Sequence, residues 1–324
     1  MRSDWVAATV RAKAMARRRA GAGLCREAAA LTSLPQALEL LEQTAYASEL
    51  AGSRNLAEAQ HATRRSVLWQ LRVLAGWLPV AGARMVRAAG AAFELANISV
   101  LARRLQEAAD AGAEGSLHRS VPLPEYFELG GLATAWPRLS QAGSSTELTD
   151  LLRTSPWGDP GPAQDFADTL TVVWIRRLAA AAPQTRSWMV AGAVLIAARR
   201  VLLAPGPGRH GAQDTGNRLH MLLQPLLGGT WAEADDVASF RAALPAAAAP
   251  VLEGVEDPSG LWRAEASLRA RVEEDGFRLL RSGLPGPDVA VGAAAVLAVD
   301  AWRVRAALAA AASGGGSEVL DAVA

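Results

Sequence analysis

The chain of 324 residues has one cysteine, Cys25, and only four histidines, His61, His118, His210 and His220. One thiol cannot close an internal disulfide, and these few side chains show no spacing that would hold zinc, so a reducing compartment is expected. Net charge is also lacking. Lys plus Arg total 33 and Asp plus Glu 32, giving a formal charge of +1. The two signs are interspersed, which leaves out the basic face that phosphate-neutralising nucleic-acid binding needs. Alternating β-branched and aromatic runs, the mark of half-buried strands, are missing. Long apolar runs are missing too: the stretch from Trp188 to Ala198 is closed by Arg199 and Arg200, short of the roughly 18 to 20 residues a membrane span requires. Charges interrupt the opening MRSDWVAATVRAKAMARRR throughout, so no secretory leader is expected and a cytoplasmic protein is.

What is present is alanine, followed by Leu, Arg and Glu, residues that lose little side-chain entropy in a helix. An all-α fold is therefore predicted, and the length suits two or three compact units. Helix starts are signalled by Ser33 with Gln36, Asn55 with Glu58, and Ser144 with Glu147, each spaced as a capping box. Breaks fall at 111 to 124, 154 to 162, 204 to 217 and 283 to 288, where Gly, Pro and Ser cluster. Between the breaks one pattern recurs: two long helices joined by a short Pro-containing turn, at 57 to 105, 163 to 203 and 259 to 311. A single amphipathic hairpin cannot bury its apolar face alone, so three similar units closing around a pseudo-threefold axis are expected. The boundaries read as 1–112, 113–208 and 209–313, with a fraying tail at 314–324.

Residues that carry chemistry are few. GPGRHG, Gly206 to Gly211, satisfies a phosphate-loop spacing but contains Pro207 and follows a helix rather than a strand, so it reads as a linker. Asp235 and Asp236 suggest the paired aspartates of a Mg²⁺-dependent helical diphosphate enzyme, yet without a second acidic motif they read as the start of a helix. Cys25 reads as an inert buried thiol. The basic run Arg17 to Arg19 reads as a solvated face, with an acidic partner or lipid headgroups as the functional alternative. Ten tryptophans are unusual beside two tyrosines and five phenylalanines. Those near breaks, Trp77, Trp136, Trp157 and Trp231, are candidate interface anchors if exposed. No catalytic, cofactor-binding or metal-binding residue is assigned.

The series WVAATVRAKAM, LPQALELLEQTAYASELAG and LRVLAGWLPVAGARMVRAAGAAFELANISVLARRL resembles the N-terminal third of the C-subunit family of prokaryotic V/A-type rotary ATPases, whose eukaryotic counterpart is the d-subunit. LWRAEASLRARVEEDGFRLLRSGLPGPDVAVGAAAVLAVDAWRVRAALAAAA resembles that family's C-terminal third, while the middle third matches weakly. The polar marks that carry the resemblance are Arg11, Tyr46, and Glu94 with Asn97. Arg103 and Arg104 close the first unit's second helix, Arg199 and Arg200 the middle one, and Asp300, Trp302 and Arg305 mark the last. Where the family has Asn and Arg near its start, Ala7 and Thr9 stand here, and Val194 and Ala197 replace polar positions in the middle unit. The resemblance implies a non-catalytic funnel, bound to the shaft subunits and the membrane rotor ring on the cytoplasmic face, that needs no cofactor and transmits torque for ion transport coupled to ATP synthesis or hydrolysis. The alternatives are an α-helical adaptor unrelated to ATPases and the diphosphate enzyme.

Overall fold

A computed structural model describes residues 2–113, 123–203, 217–316 and Leu320, and every regular element among them is helical. In chain order the α-helices are α1 (Val6–Arg17), α2 (Gly21–Ala30), α3 (Leu34–Leu41), α4 (Ala47–Leu50), α5 (Leu56–Trp77), α6 (Val80–Ala113), α7 (Trp136–Leu139) and α8 (Ser145–Arg153). There follow α9 (Phe166–Ala181), α10 (Arg186–Ala198), α11 (Arg218–Leu227), α12 (Val237–Ala243), α13 (Leu261–Leu280) and α14 (Pro287–Ala312). A five-residue π-helix, Arg199–Leu203, extends α10. The three expected hairpins are α5 with α6, α9 with α10, and α13 with α14, and their short links lie where Pro and Gly predict breaks.

The chain divides into two compact units, each discontinuous in sequence. One comprises Met1–Gly90, Phe127–Leu132 and Arg269–Ala324; the other comprises Ala91–Tyr126 and Ala133–Leu268. The division expected from the sequence runs through three consecutive stretches. Here the first stretch up to Gly90 and the last from Arg269 share a unit, because α14 packs on α1, α2, α3 and α5, while the rest of both stretches falls in the other unit.

That packing follows from composition. Val289, Val296, Val304 and Leu308, with Ala293, Ala307 and Ala311, are all fully buried along α14, and a helix apolar on every side belongs in an interior. Small residues let its neighbours approach closely. At the crossing of α13 and α14, a Cβ on Gly292 would lie 2.5 Å from the carbonyl oxygen of Gly276, so only glycine fits. The second unit has a continuous core in which Leu170, Val172, Val194, Ala197, Leu223 and Phe240 are fully buried.

Two sequence expectations are revised. Asn55 does accept the Glu58 N–H at 2.9 Å, and Ser144 the Glu147 N–H at 3.2 Å. Ser33 stands at the N-cap of α3, but its hydroxyl donates to Gln36 Oε1 at 3.0 Å and caps no backbone group. The long apolar window also lies elsewhere. Val80–Asp110 in α6 is long and apolar enough to cross a membrane, yet half of its apolar 18-residue window is buried within the protein. It also holds the fully buried Glu94 and Asn97, which suits an interior helix better than one facing lipid.

Candidate functional site

The residues marked in the sequence fall into buried polar nodes and exposed cations. Asp300 is the centre of one node. Midway along α14 it is flanked by alanine and valine, and its carboxylate is fully buried. It accepts the backbone N–H of Ala20 at 3.0 Å, that of Gly21 at 2.7 Å, and the Tyr46 hydroxyl at 2.8 Å. Ala20 and Gly21 open α2, whose first N–H groups have no partner within the helix. Gly21 adopts φ +83° there, a conformation that L side chains rarely take. Asp300 thus satisfies the start of α2 from the far end of the chain. Burial raises its pKa, opposed first by the Gly21 bond and then by Tyr46. Burial, reinforced by the Asp300 charge, also raises the Tyr46 phenol well above its usual value. The nearby Cys25 thiol is buried, as expected, and pushed up to about 12 by desolvation and then by Asp300, a setting that disfavours the reactive thiolate.

Glu94 plays the equivalent part in the second unit. Fully buried on α6, it accepts the backbone N–H groups of Thr134 at 3.0 Å, Ala135 at 2.7 Å and Trp136 at 2.6 Å, where α7 begins. The Thr134 hydroxyl and Trp157 Nε1, the latter at 3.3 Å, complete the set. Asn97 lies one turn on and is fully buried.

Arg200 belongs to a third node. Its Nη2 lies 2.7 Å from Oδ1 of the fully buried Asp165, an ion pair off the hydrogen-bonding angle, while Asn217 Nδ2 donates to Asp165 Oδ2. Arg199, on the π-helical turn, pairs with Glu265 at 3.3 Å from a half-exposed position. Arg103 pairs with Glu107 at 3.9 Å across solvent, a contact of small energetic weight. Arg104 donates to the Pro124 carbonyl at 2.9 Å and sits over the Tyr126 ring at 4.4 Å. Trp302 is half-buried under the Arg269 guanidinium, 4.7 Å away. Arg305 has a buried Nε without a hydrogen-bond partner among the described residues, and burial lowers its pKa. Arg11 is exposed on α1, 6.0 Å from the Trp77 ring.

Sequence reasoning missed Arg303, Glu273 and Asp165. The buried Arg303 and the partly buried Glu273 form a two-pronged pair, with Nη2 to Oε2 at 2.6 Å. A signal existed: Asp300 and Arg303 repeat the spacing of Glu94 and Asn97. Of the four candidate anchor tryptophans, Trp157 and Trp231 are fully buried, which removes them as interface candidates; Trp136 is half-buried and Trp77 exposed. Asp236 is the N-cap of α12 in a reciprocal box with Ser239, and those bonds lower its pKa. Among the described residues no three His, Cys, Asp or Glu side chains stand together as a metal would require. Gly206 to Gly211, His118 and His210 lie outside the described residues. No family model and no curated protein matches the chain.

Proposed function

We propose that this chain is a non-catalytic rotor component of a V/A-type ATPase, seated between the central shaft and the membrane ring on the cytoplasmic face, with three comparable helical units about a pseudo-threefold axis. The observation that carries the proposal is one local design that recurs three times with the same internal offsets. Ser33, Ser144 and Asp236 each stand at an N-cap. Four residues on, Ala37, Leu148 and Phe240 are buried; eight on, so are Leu41, Leu152 and Leu244; five before, so are Ala28, Leu139 and Trp231. A helical hairpin follows each time.

The first two copies agree in finer detail. Thr44 and Ser155 donate to the carbonyls of Leu41 and Leu152, at 2.6 and 2.8 Å, and accept the N–H groups of Tyr46 and Trp157, at 3.2 and 3.1 Å. Tyr46 and Trp157 then donate to Asp300 and Glu94, the buried carboxylates that hold the starts of α2 and α7. Triplication of this kind is what the resemblance to the funnel-shaped rotor family implies, and the nodes lie on the residues that carry it. Buried carboxylates with three or more donors and close Ala and Gly crossings resist internal slippage, as a torque-bearing body must.

The test is co-expression with the shaft and ring proteins of the same organism, followed by affinity capture and size-exclusion chromatography at about 1 µM, a concentration at which a stable interface holds together. A complex containing all three components is expected. Failure of the chain to co-elute with either the shaft or the ring would overturn the proposal.

A further inference from the structure

Within the first unit, α1, α4 and α5 enclose a concavity of about 450 Å³. Its rim and floor differ in chemistry. Ser66 and Gln70 form a buried polar floor, Trp69 stands beside them with 53 % of its surface exposed, and Arg11 and Arg18 line the edge. Among the described residues neither arginine has a carboxylate within ion-pairing distance, and α1 itself carries no acidic residue. The lining has one acid, Glu49, and Arg65 holds it in an ion pair. The cavity therefore offers uncompensated positive charge around an uncovered apolar ring.

Beyond the cavity the apolar surface continues. Trp77, also 53 % exposed, lies eight residues further along α5, a separation of about 12 Å. Val6 and Val10, one turn apart on α1, are exposed as well. Anchors two helical turns apart, flanked by unpaired arginines, complement one kind of ligand: a helix with an apolar stripe and carboxylates beside it. A lipid surface fits less well, since its plane cannot follow the protein into a concavity floored by Ser66 and Gln70.

We propose that this groove docks an acidic amphipathic helix of a protein partner, with apolar side chains two turns apart on Trp69 and Trp77 and carboxylates on Arg11 and Arg18. The proposal goes beyond the rotor reading and does not depend on it. The full chain is titrated into a fluorescent peptide of about fifteen residues, four helical turns of Leu and Glu with blocked ends, and binding is followed by anisotropy at low salt. Saturable binding is expected, at least about tenfold weaker for the Arg11→Glu, Arg18→Glu double variant and for the same peptide with Gln in place of Glu. Trp69→Ala is expected to weaken it about tenfold as well. Should that variant melt lower, the wild-type indole N–H resonances of Trp69 and Trp77 are followed instead, and both shift on adding peptide.

Four results would overturn the proposal. These are no saturation up to about 1 mM, equal binding of the Gln peptide, equal binding by the charge-reversed protein, or unmoved Trp69 and Trp77 resonances. Phosphatidylserine vesicles provide a further arm: capture of the wild type and loss with the double variant, without peptide binding, would assign the arginines to a lipid surface and reject the helix.

Discussion

Asp300 joins groups at opposite ends of the chain through three hydrogen bonds, yet burial still raises its pKa. The sign of the consequence follows. With the folded value above the unfolded one, ordinarily about 3.9, the folded state holds the proton over the interval between them. Stability from this group is fully present below the unfolded value and is lost as pH rises through the folded one. The stability of the wild type relative to Asp300→Asn should therefore fall as pH rises from about 4, as read by urea unfolding at several pH values; a flat difference would contradict this. Tyr46→Phe removes one of the three donors, and a loss of roughly 1 to 3 kcal/mol is expected in the same measurement. The Cys25 thiol, pushed up to about 12 by burial, should react with a disulfide reagent at pH 8 at least about a thousandfold more slowly than a free cysteine.

Helix starts and crossings carry their own predictions. Asn55 accepts a backbone N–H at the head of α5, whereas Ser33 at the head of α3 bonds only the side chain of Gln36. Asn55→Ala should then cost about 1 kcal/mol and Ser33→Ala about half of that or less, compared by thermal unfolding. The two sites look alike in sequence, so equal losses would show that cap geometry is not what separates them. At the α13 and α14 crossing, Gly292→Ala would drive a Cβ to 2.5 Å from the Gly276 carbonyl. Overpacking of about 1 to 3 kcal/mol is expected, seen as a lower unfolding midpoint.

At the scale of the whole molecule, the first unit is assembled from the N-terminal helices and α14. A chain stopped after Leu268 lacks Asp300 and the face that covers α2, so the N–H groups of Ala20 and Gly21 lose their acceptor. Cys25, expected to be slow to react in the full chain, should then react at close to the rate of an unfolded control under native conditions. Continued protection would mean that α1 to α5 hold together without α14. The rotor proposal would draw on the same assembly, since a body that carries torque must keep its parts in register and α14 closes the first unit.

The hairpins, the breaks at 154 to 162 and 283 to 288, and two of three caps are legible along the chain itself, because helix propensity, capping and turn chemistry act within a turn or two of sequence. Glu94, Asn97, Tyr46 and Asp300 stand out as polar marks in apolar helices. Their partners do not, since the N–H groups that Asp300 accepts lie up to 280 residues away and no local pattern encodes that meeting. The exposure of Trp69 and Trp77, against the burial of Trp157 and Trp231, was likewise decided in tertiary packing. An indole's surroundings depend on which helix arrives over it, whereas the helix itself is determined by the residues along it.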